Sequence, residues 1–249
     1  MPVSAACSRS HGLAGCWRDR VDRAPQCGRA HLFFDLFQDT GMTSAHSLDH
    51  YLDRFPLIAI LRGVRPDEVE AIGDVLVGEG FSILEVPLNS PEPLVSIERL
   101  ARRFPDTLVG AGTVMTPQAV RDVAAAGGRL ILMPHSDPIV VRAACEAGLL
   151  CVPGVATPTE AFAALANGAA ALKLFPAEQM PPVVVKAWRA VVPHSVRLLP
   201  VGGIAPDTMA SYLAAGAAGF GLGSALYRPG MEPAEVGERA RAFKAALGR

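Results

Sequence analysis

Lys173 is a charge in an apolar setting. It lies in Ala170-Ala171-Leu172-Lys173-Leu174-Phe175-Pro176, and lysine accounts for only three of the 23 Lys and Arg residues, at 173, 186 and 244. A chain that relies so heavily on arginine for solubility and ion pairs has little reason to keep a generic lysine inside an apolar strand. Burial disfavours the ammonium form and leaves a nucleophilic amine near neutral pH. Arginine, always charged, cannot play that part. The alternatives are a buried Lys–Glu pair and a lysine that snorkels to the strand end. Glu85, in Ile83-Leu84-Glu85-Val86-Pro87, is a second lone charge in an apolar run. If both strand ends face one opening, the two supply an imine-forming amine and a general acid/base. A plain buried ion pair is the other reading, although desolvation cancels most of its Coulomb gain. Two glycine features, Val201-Gly202-Gly203-Ile204 and Gly221-Leu222-Gly223-Ser224, allow close backbone approach. With a helix N-terminus nearby, they suit a phosphate group.

Eight short apolar runs must position these residues: 57–61, 82–87, 108–112, 130–133, 149–152, 170–175, 197–201 and 219–222. They are apolar on both faces, as buried parallel strands are when helices cover the sheet. Helix-start residues follow several of them, at Pro66-Asp67-Glu68, Ser90-Pro91-Glu92, Thr116-Pro117, Asp137-Pro138, Thr157-Pro158 and Ala205-Pro206. Proline suits the first helical position because the N–H it lacks would be unpaired there. Glycines 78/80, 127/128, 148, 168 and 216 close the helices, accepting the left-handed backbone of a helix end. A short amphipathic helix over 47–54 precedes the first strand. The repeat of roughly 24 residues predicts a single-domain α/β fold, a (β/α)₈ TIM barrel, with a doubly wound sheet as the runner-up. No GxGxxG follows the first strand, which weighs against the latter.

In such a barrel the active site lies at the C-terminal strand ends. The residues expected there are Arg62, Glu85, Asn89, Thr113, Pro134, His135, Lys173, Gly202, Gly203, Gly223 and Ser224. His135 is read as either catalytic or a solvent-accessible loop residue. His46, His50 and His194 read as surface residues, and Trp17 and Trp188 as packing or tail residues. No His/Asp/Glu spacing suggests a metal, and no cofactor is called for. The formal net charge of −1 over 249 residues argues against nucleic acid or an anionic membrane as partner. No stretch approaches the ~18 apolar residues of a membrane span. Five cysteines, an odd number without zinc spacing, read as reduced thiols of a cytoplasmic protein. Residues 1–41 lack the strand–helix alternation. They are expected to be an extension ahead of a natural start at Met42, with a transit peptide as the alternative, and 42–249 to form the barrel.

Five segments in order resemble the class I aldolases that cleave 2-keto-3-deoxy-6-phosphosugar acids. They are Ile58-Ala59-Ile60-Leu61-Arg62-Gly63, Glu85-Val86-Pro87-Leu88-Asn89-Ser90, Gly110-Ala111-Gly112-Thr113-Val114, Lys173-Leu174-Phe175-Pro176 and Val201-Gly202-Gly203. The resemblance implies that Lys173 forms the Schiff base and that Glu85 moves protons. It implies further that Thr113 and the neighbouring glycines hold the pyruvate carboxylate, and that Phe175 packs on the pyruvyl unit. Arg62, Gly202, Gly203, Gly223 and Ser224 would hold the phosphate end. The partner implied is a phosphorylated 2-keto-3-deoxy sugar acid, and the assembly a homotrimer. Asn89 and Val201 stand where the gluconate branch of the family carries an arginine and a threonine, so the galactonate branch is the nearer likeness. Pro134-His135-Ser136 replaces the commoner polar turn. The competing readings are a gluconate-type or 4-hydroxy-2-oxoglutarate aldolase, and a sugar-phosphate-binding barrel in which Lys173 and Glu85 are only an ion pair.

Overall fold

The computed structural model describes residues 47–248. The expectations for residues 1–41, and for Cys7, Cys16, Cys27, Trp17 and His46, lie outside them. Nine strands follow in order: β1 (Leu57–Ile60), β2 (Ile83–Pro87), β3 (Leu108–Gly112), β4 (Leu130–Leu132), β5 (Leu150–Val152), β6 (Gly154–Val155), β7 (Leu172–Leu174), β8 (Leu198–Pro200) and β9 (Phe220–Leu222). The helices are α1 (Leu48–Arg54), α2 (Val69–Gly78), α3 (Pro93–Arg103), α4 (Pro117–Ala125), α5 (Pro138–Glu146), α6 (Pro158–Ala166), α7 (Pro182–Trp188), α8 (Pro206–Ala214) and α9 (Pro233–Ala246).

All strand pairs are parallel, and the sheet is curled. β5-β4-β3-β2-β1-β9 run as one ribbon and β6-β7-β8 as another. At one junction Val201, just past β8, bridges Gly221 of β9, and the Ala218 N–H donates to the Leu198 carbonyl at 2.9 Å. At the other, β5 and β6 are one extended segment interrupted by Pro153. The Ala170 and Lys173 N–H groups donate to the Cys151 and Pro153 carbonyls at 2.8 and 3.0 Å.

Each strand has two apolar faces, as expected for a sheet covered on the outside. Leu57, Ala59, Leu61, Leu84, Val86, Leu172 and Leu174 pack against the helices. Their alternate neighbours Ile58, Ile60, Ile83, Ala171 and Leu199 form a second, inner cluster with Leu108, Leu130 and Val152. The α1 residues Leu48, Tyr51 and Leu52 belong to that inner cluster. The helix is fixed by residues that immediately precede strands. Ser82 Oγ donates to the Tyr51 carbonyl at 2.9 Å, Arg129 to the Tyr51 hydroxyl at 3.2 Å, and Arg197 to Asp49 and Asp53 at 2.6 and 2.9 Å. α1 therefore covers the N-terminal edges of the strands, leaving the opposite edge as the mouth.

Local chemistry sets most helix boundaries. Thr116, Asp137 and Thr157 cap α4, α5 and α6 with side-chain oxygens, each before a proline. Glycines 80, 127, 148, 168 and 216 all take positive φ where helices end. Two starts differ from expectation. α2 opens at Val69, after a turn over Pro66-Asp67-Glu68, and α3 opens at Pro93 because Glu92 adopts φ 39°. Cys145 and Cys151 are free thiols, and no described helix is long and apolar enough to cross a membrane.

Candidate active site

Strand alternation aims the two lone charges inward. Lys173 lies between Leu172 and Leu174, which face the helices, and shares the inner face with Ala171 and Phe175. Glu85 lies likewise between the outward Leu84 and Val86, on the face of Ile83. Lys173 is 7% exposed and Glu85 2%. Among the described residues, neither side chain makes an ion pair or a hydrogen bond. The ammonium nitrogen of Lys173 instead stands 4.5 Å from the centre of the Phe175 ring.

Burial dominates both ionisations. It pushes the Lys173 amine below its ordinary value, and the Arg62 charge pushes the same way while Glu85 opposes. It raises the Glu85 carboxyl to about 7, against the lowering pull of Lys173 and Arg62. Two groups biased toward their neutral forms, without contact between them, suit proton traffic and nucleophilic attack better than a structural salt bridge does.

The room for Glu85 is made by glycine. A Cβ at Gly112, two residues along β3 from the Glu85 partner Gly110, would fall on the Glu85 carboxylate. The next residue, Thr113, has φ 58°, an uncommon backbone for a residue with a branched side chain. Pro134 and His135 follow β4. The backbone of Pro134 lies where a Cβ of Gly154 would be, at 2.6 Å, and Gly154 pairs in register with Lys173. His135 Nδ1 is buried without a hydrogen-bond partner, so the residue is not simply a solvated loop histidine.

Arg62, just past β1, donates from Nη1 to Asn89 Oδ1 at 2.7 Å. Its charge acts on both Glu85 and Lys173, lowering the pKa of each. The adjacent Gly63 N–H donates to Ser90 Oγ at 2.9 Å. Ser90 and the Arg62–Asn89 pairing escape a linear reading, because their partners are 27 residues away.

Val201, Gly202 and Gly203 form the turn between β8 and α8. Val201 is buried and packs on Gly221, and its carbonyl accepts from the Ala177 N–H at 2.9 Å. Gly202 and Gly203 have φ 105° and 63°. Side-chain atoms of Glu178 lie 2.5 and 2.8 Å from where their Cβ atoms would be, so glycine is required here by backbone and space alike. Glu178 is a carboxylate beside the turn that sequence reasoning missed; its only signal was its position five residues after Lys173. After β9, Gly223 and Ser224 open a turn rather than a helix. The Gly223 carbonyl accepts from Leu226 and Tyr227, and the Ser224 carbonyl from Arg228 at 3.0 Å and Arg239 at 3.3 Å. Among the described residues no His/Cys/Asp/Glu group is arranged to hold a metal.

Residues 48–238 match the family described as "KDPG and KHG aldolase". A probable 2-dehydro-3-deoxy-6-phosphogalactonate aldolase of Rhizobium meliloti (strain 1021) is 47% identical over 192 residues, 77% of this chain and 91% of that protein. The 2-dehydro-3-deoxy-6-phosphogalactonate aldolase of Escherichia coli (strain K12) is 44% identical over 191 residues, 76% of this chain and 93% of its own. A solved structure described as native KDPGal superposes with TM-score 0.77 at 42% identity, covering 78% of this chain and 95% of that one. A KDPG aldolase from Legionella pneumophila, described with pyruvate captured as a covalent carbinolamine intermediate, gives TM-score 0.70 at 29% identity over 81% of this chain and 98% of its own.

Proposed function

The chain belongs to the KDPG and KHG aldolase family, and on that premise we propose that it reversibly cleaves 2-dehydro-3-deoxy-6-phospho-D-galactonate to pyruvate and D-glyceraldehyde 3-phosphate through a Schiff base on Lys173. The observation that carries this reading is the buried, inward-facing Lys173 amine, held below its ordinary pKa, on the same inner face as the high-pKa Glu85 carboxyl.

The neutral Lys173 amine attacks the C2 carbonyl. Glu85, with water, moves the protons that convert the carbinolamine to the iminium and release water. Glu85 then takes the C4 hydroxyl proton. The C3–C4 bond breaks, its electron pair passes into the iminium to give an enamine, and glyceraldehyde 3-phosphate leaves. The enamine takes a proton at C3, and water hydrolyses the iminium to free pyruvate and regenerate the amine. The iminium is the electron sink, so neither metal nor cofactor enters this reading. Phe175, packed against the Lys173 nitrogen, flanks the pyruvyl unit. Thr113, Pro134 and Asn89 border the carboxylate side, and Arg62 reaches toward the phosphate end. Gly202, Gly203, Gly223 and Ser224 supply backbone around the phosphate, and buried Val201 faces the C4 region, where an apolar group cannot hydrogen-bond a hydroxyl.

In this reading the two ribbons are one closed (β/α)₈ barrel, with β5 and β6 counting as a single strand broken at Pro153. Residues 42–249 are the catalytic domain. We assign the working assembly as a homotrimer in the cytoplasm. Its association is supported by exposed Val95, which lines a groove with Leu88, Leu94 and Ala119, and by Met115 and Ile139 (49 and 59% exposed) at the next two helix starts.

Borohydride reduction in the presence of pyruvate tests the chemistry. The expected result is a stable pyruvyl adduct on Lys173 and none in Lys173→Arg. An intact protein that gains no adduct would refute the Schiff base and leave a sugar-phosphate-binding barrel. The ratio of kcat/KM for the two C4 epimers tests the branch: a preference for the gluco epimer would make this a gluconate-type enzyme.

A further inference from the structure

Asn89 projects from the turn after β2, and its amide oxygen accepts the Arg62 guanidinium at 2.7 Å. Both ends of this bond are carried on tightly paired backbone. The Leu61 N–H donates to the Glu85 carbonyl at 2.8 Å, the Leu88 N–H to the Gly112 carbonyl at 2.8 Å, and the Ser90 N–H to the Pro87 carbonyl at 2.9 Å. Ser90 Oγ also accepts the Gly63 N–H, so the loops after β1 and β2 are tied twice within one residue of Arg62 and Asn89. Arg62 itself is exposed. A long exposed side chain without such an anchor samples many rotamers, and fixing it costs entropy at every binding event.

We propose that Asn89 acts through Arg62 rather than on the substrate: it is a positioning residue that holds the guanidinium at the mouth of the site, where it meets the anionic substrate. This rests on the aldolase reading above. The residue type fits the task. Asparagine offers a neutral acceptor, so it orients the cation without cancelling its charge. Aspartate would hold the guanidinium more tightly and neutralise it, leaving less field for an incoming carboxylate or phosphate. The charged groups acting on the reactive pair are Glu85 from β2, Lys173 from β7 and Arg62 from the loop after β1. Arg65, in the same loop, is engaged by Asp67 and Glu68.

A double-mutant cycle on the full chain tests this, with 2-dehydro-3-deoxy-6-phosphogalactonate as substrate. Asn89→Ala should raise KM about tenfold with a smaller change in kcat, and Arg62→Ala should do at least as much. The double variant should then match Arg62→Ala to within about twofold, because no second contact remains to be lost. Asn89→Asp keeps the acceptor and should still raise KM. In all three single variants the acid limb of kcat/KM should move to higher pH, since the Arg62 charge normally lowers the pKa of both Lys173 and Glu85. A merely structural asparagine would lower the melting temperature without moving that limb. Multiplicative effects of the two alanine substitutions, or an unmoved acid limb, would overturn the proposal. The wild-type pyruvate adduct reports separately on the Schiff base, so either failure can be recognised on its own.

Discussion

A carboxyl buried without a partner is held in its protonated form above the ordinary carboxylate range, and folding at that position then favours acid. Glu85 is raised from an ordinary 4.5 chiefly by burial. Between those two values the folded protein holds a proton that the unfolded chain releases. Stability contributed at this position therefore falls as pH rises from about 4.5 to about 7, by roughly 3 kcal/mol at most. Glu85→Gln should flatten that part of the pH dependence of the urea midpoint, while lowering kcat by about 10²-fold or more and removing the ionisation near neutrality from its pH profile. A variant with wild-type pH dependence in both measurements would show that Glu85 is neither the titrating group nor the acid/base. Lys173 and Glu85 were legible in the sequence because a lone charge in an apolar run is visible without knowing the fold. The Arg62–Asn89 bond and the Glu178 packing were not: each is made across space by residues that look like ordinary loop polars, and no local period marks them.

At the scale of elements, glycine decides where side chains can go. Gly112 needs no special backbone angle; its hydrogen matters because the Glu85 carboxylate occupies the space of a Cβ. Gly112→Ala should lower stability by about 1–3 kcal/mol through overpacking and cut kcat by displacing Glu85, measurable by urea unfolding and steady-state kinetics. Unchanged kcat would mean that the carboxylate tolerates relocation. The strands were readable from eight apolar runs, and the α4, α5 and α6 starts from a capping side chain followed by proline. The openings of α2 and α3 were not, because Glu68 and Glu92 give no side-chain cap and the helix begins only after the preceding turn is complete. The break between β5 and β6 was also hidden. Pro153 has no N–H for the ladder, yet its carbonyl still accepts from Lys173, so the segment continues across the gap.

For the whole molecule, Val95, Met115 and Ile139 are large apolar side chains left exposed at three successive helix starts, the surface on which the proposed association is tested. The proposed trimer would have a sedimentation mass three times that of the 26.1 kDa chain. Ile139→Glu should shift that distribution toward the monomer, and a monodisperse wild-type monomer would contradict the assembly. The α1 seal has a practical meaning of its own. Leu48, Tyr51 and Leu52 stop one end of the inner cluster, and Arg197 clasps the helix through Asp49 and Asp53, so among the described residues that end is closed and the reactive pair is reached from the other. A bead or fusion partner tethered to Asp49 or Asp53 would stand at the closed end, away from the strand ends that carry Lys173 and Glu85.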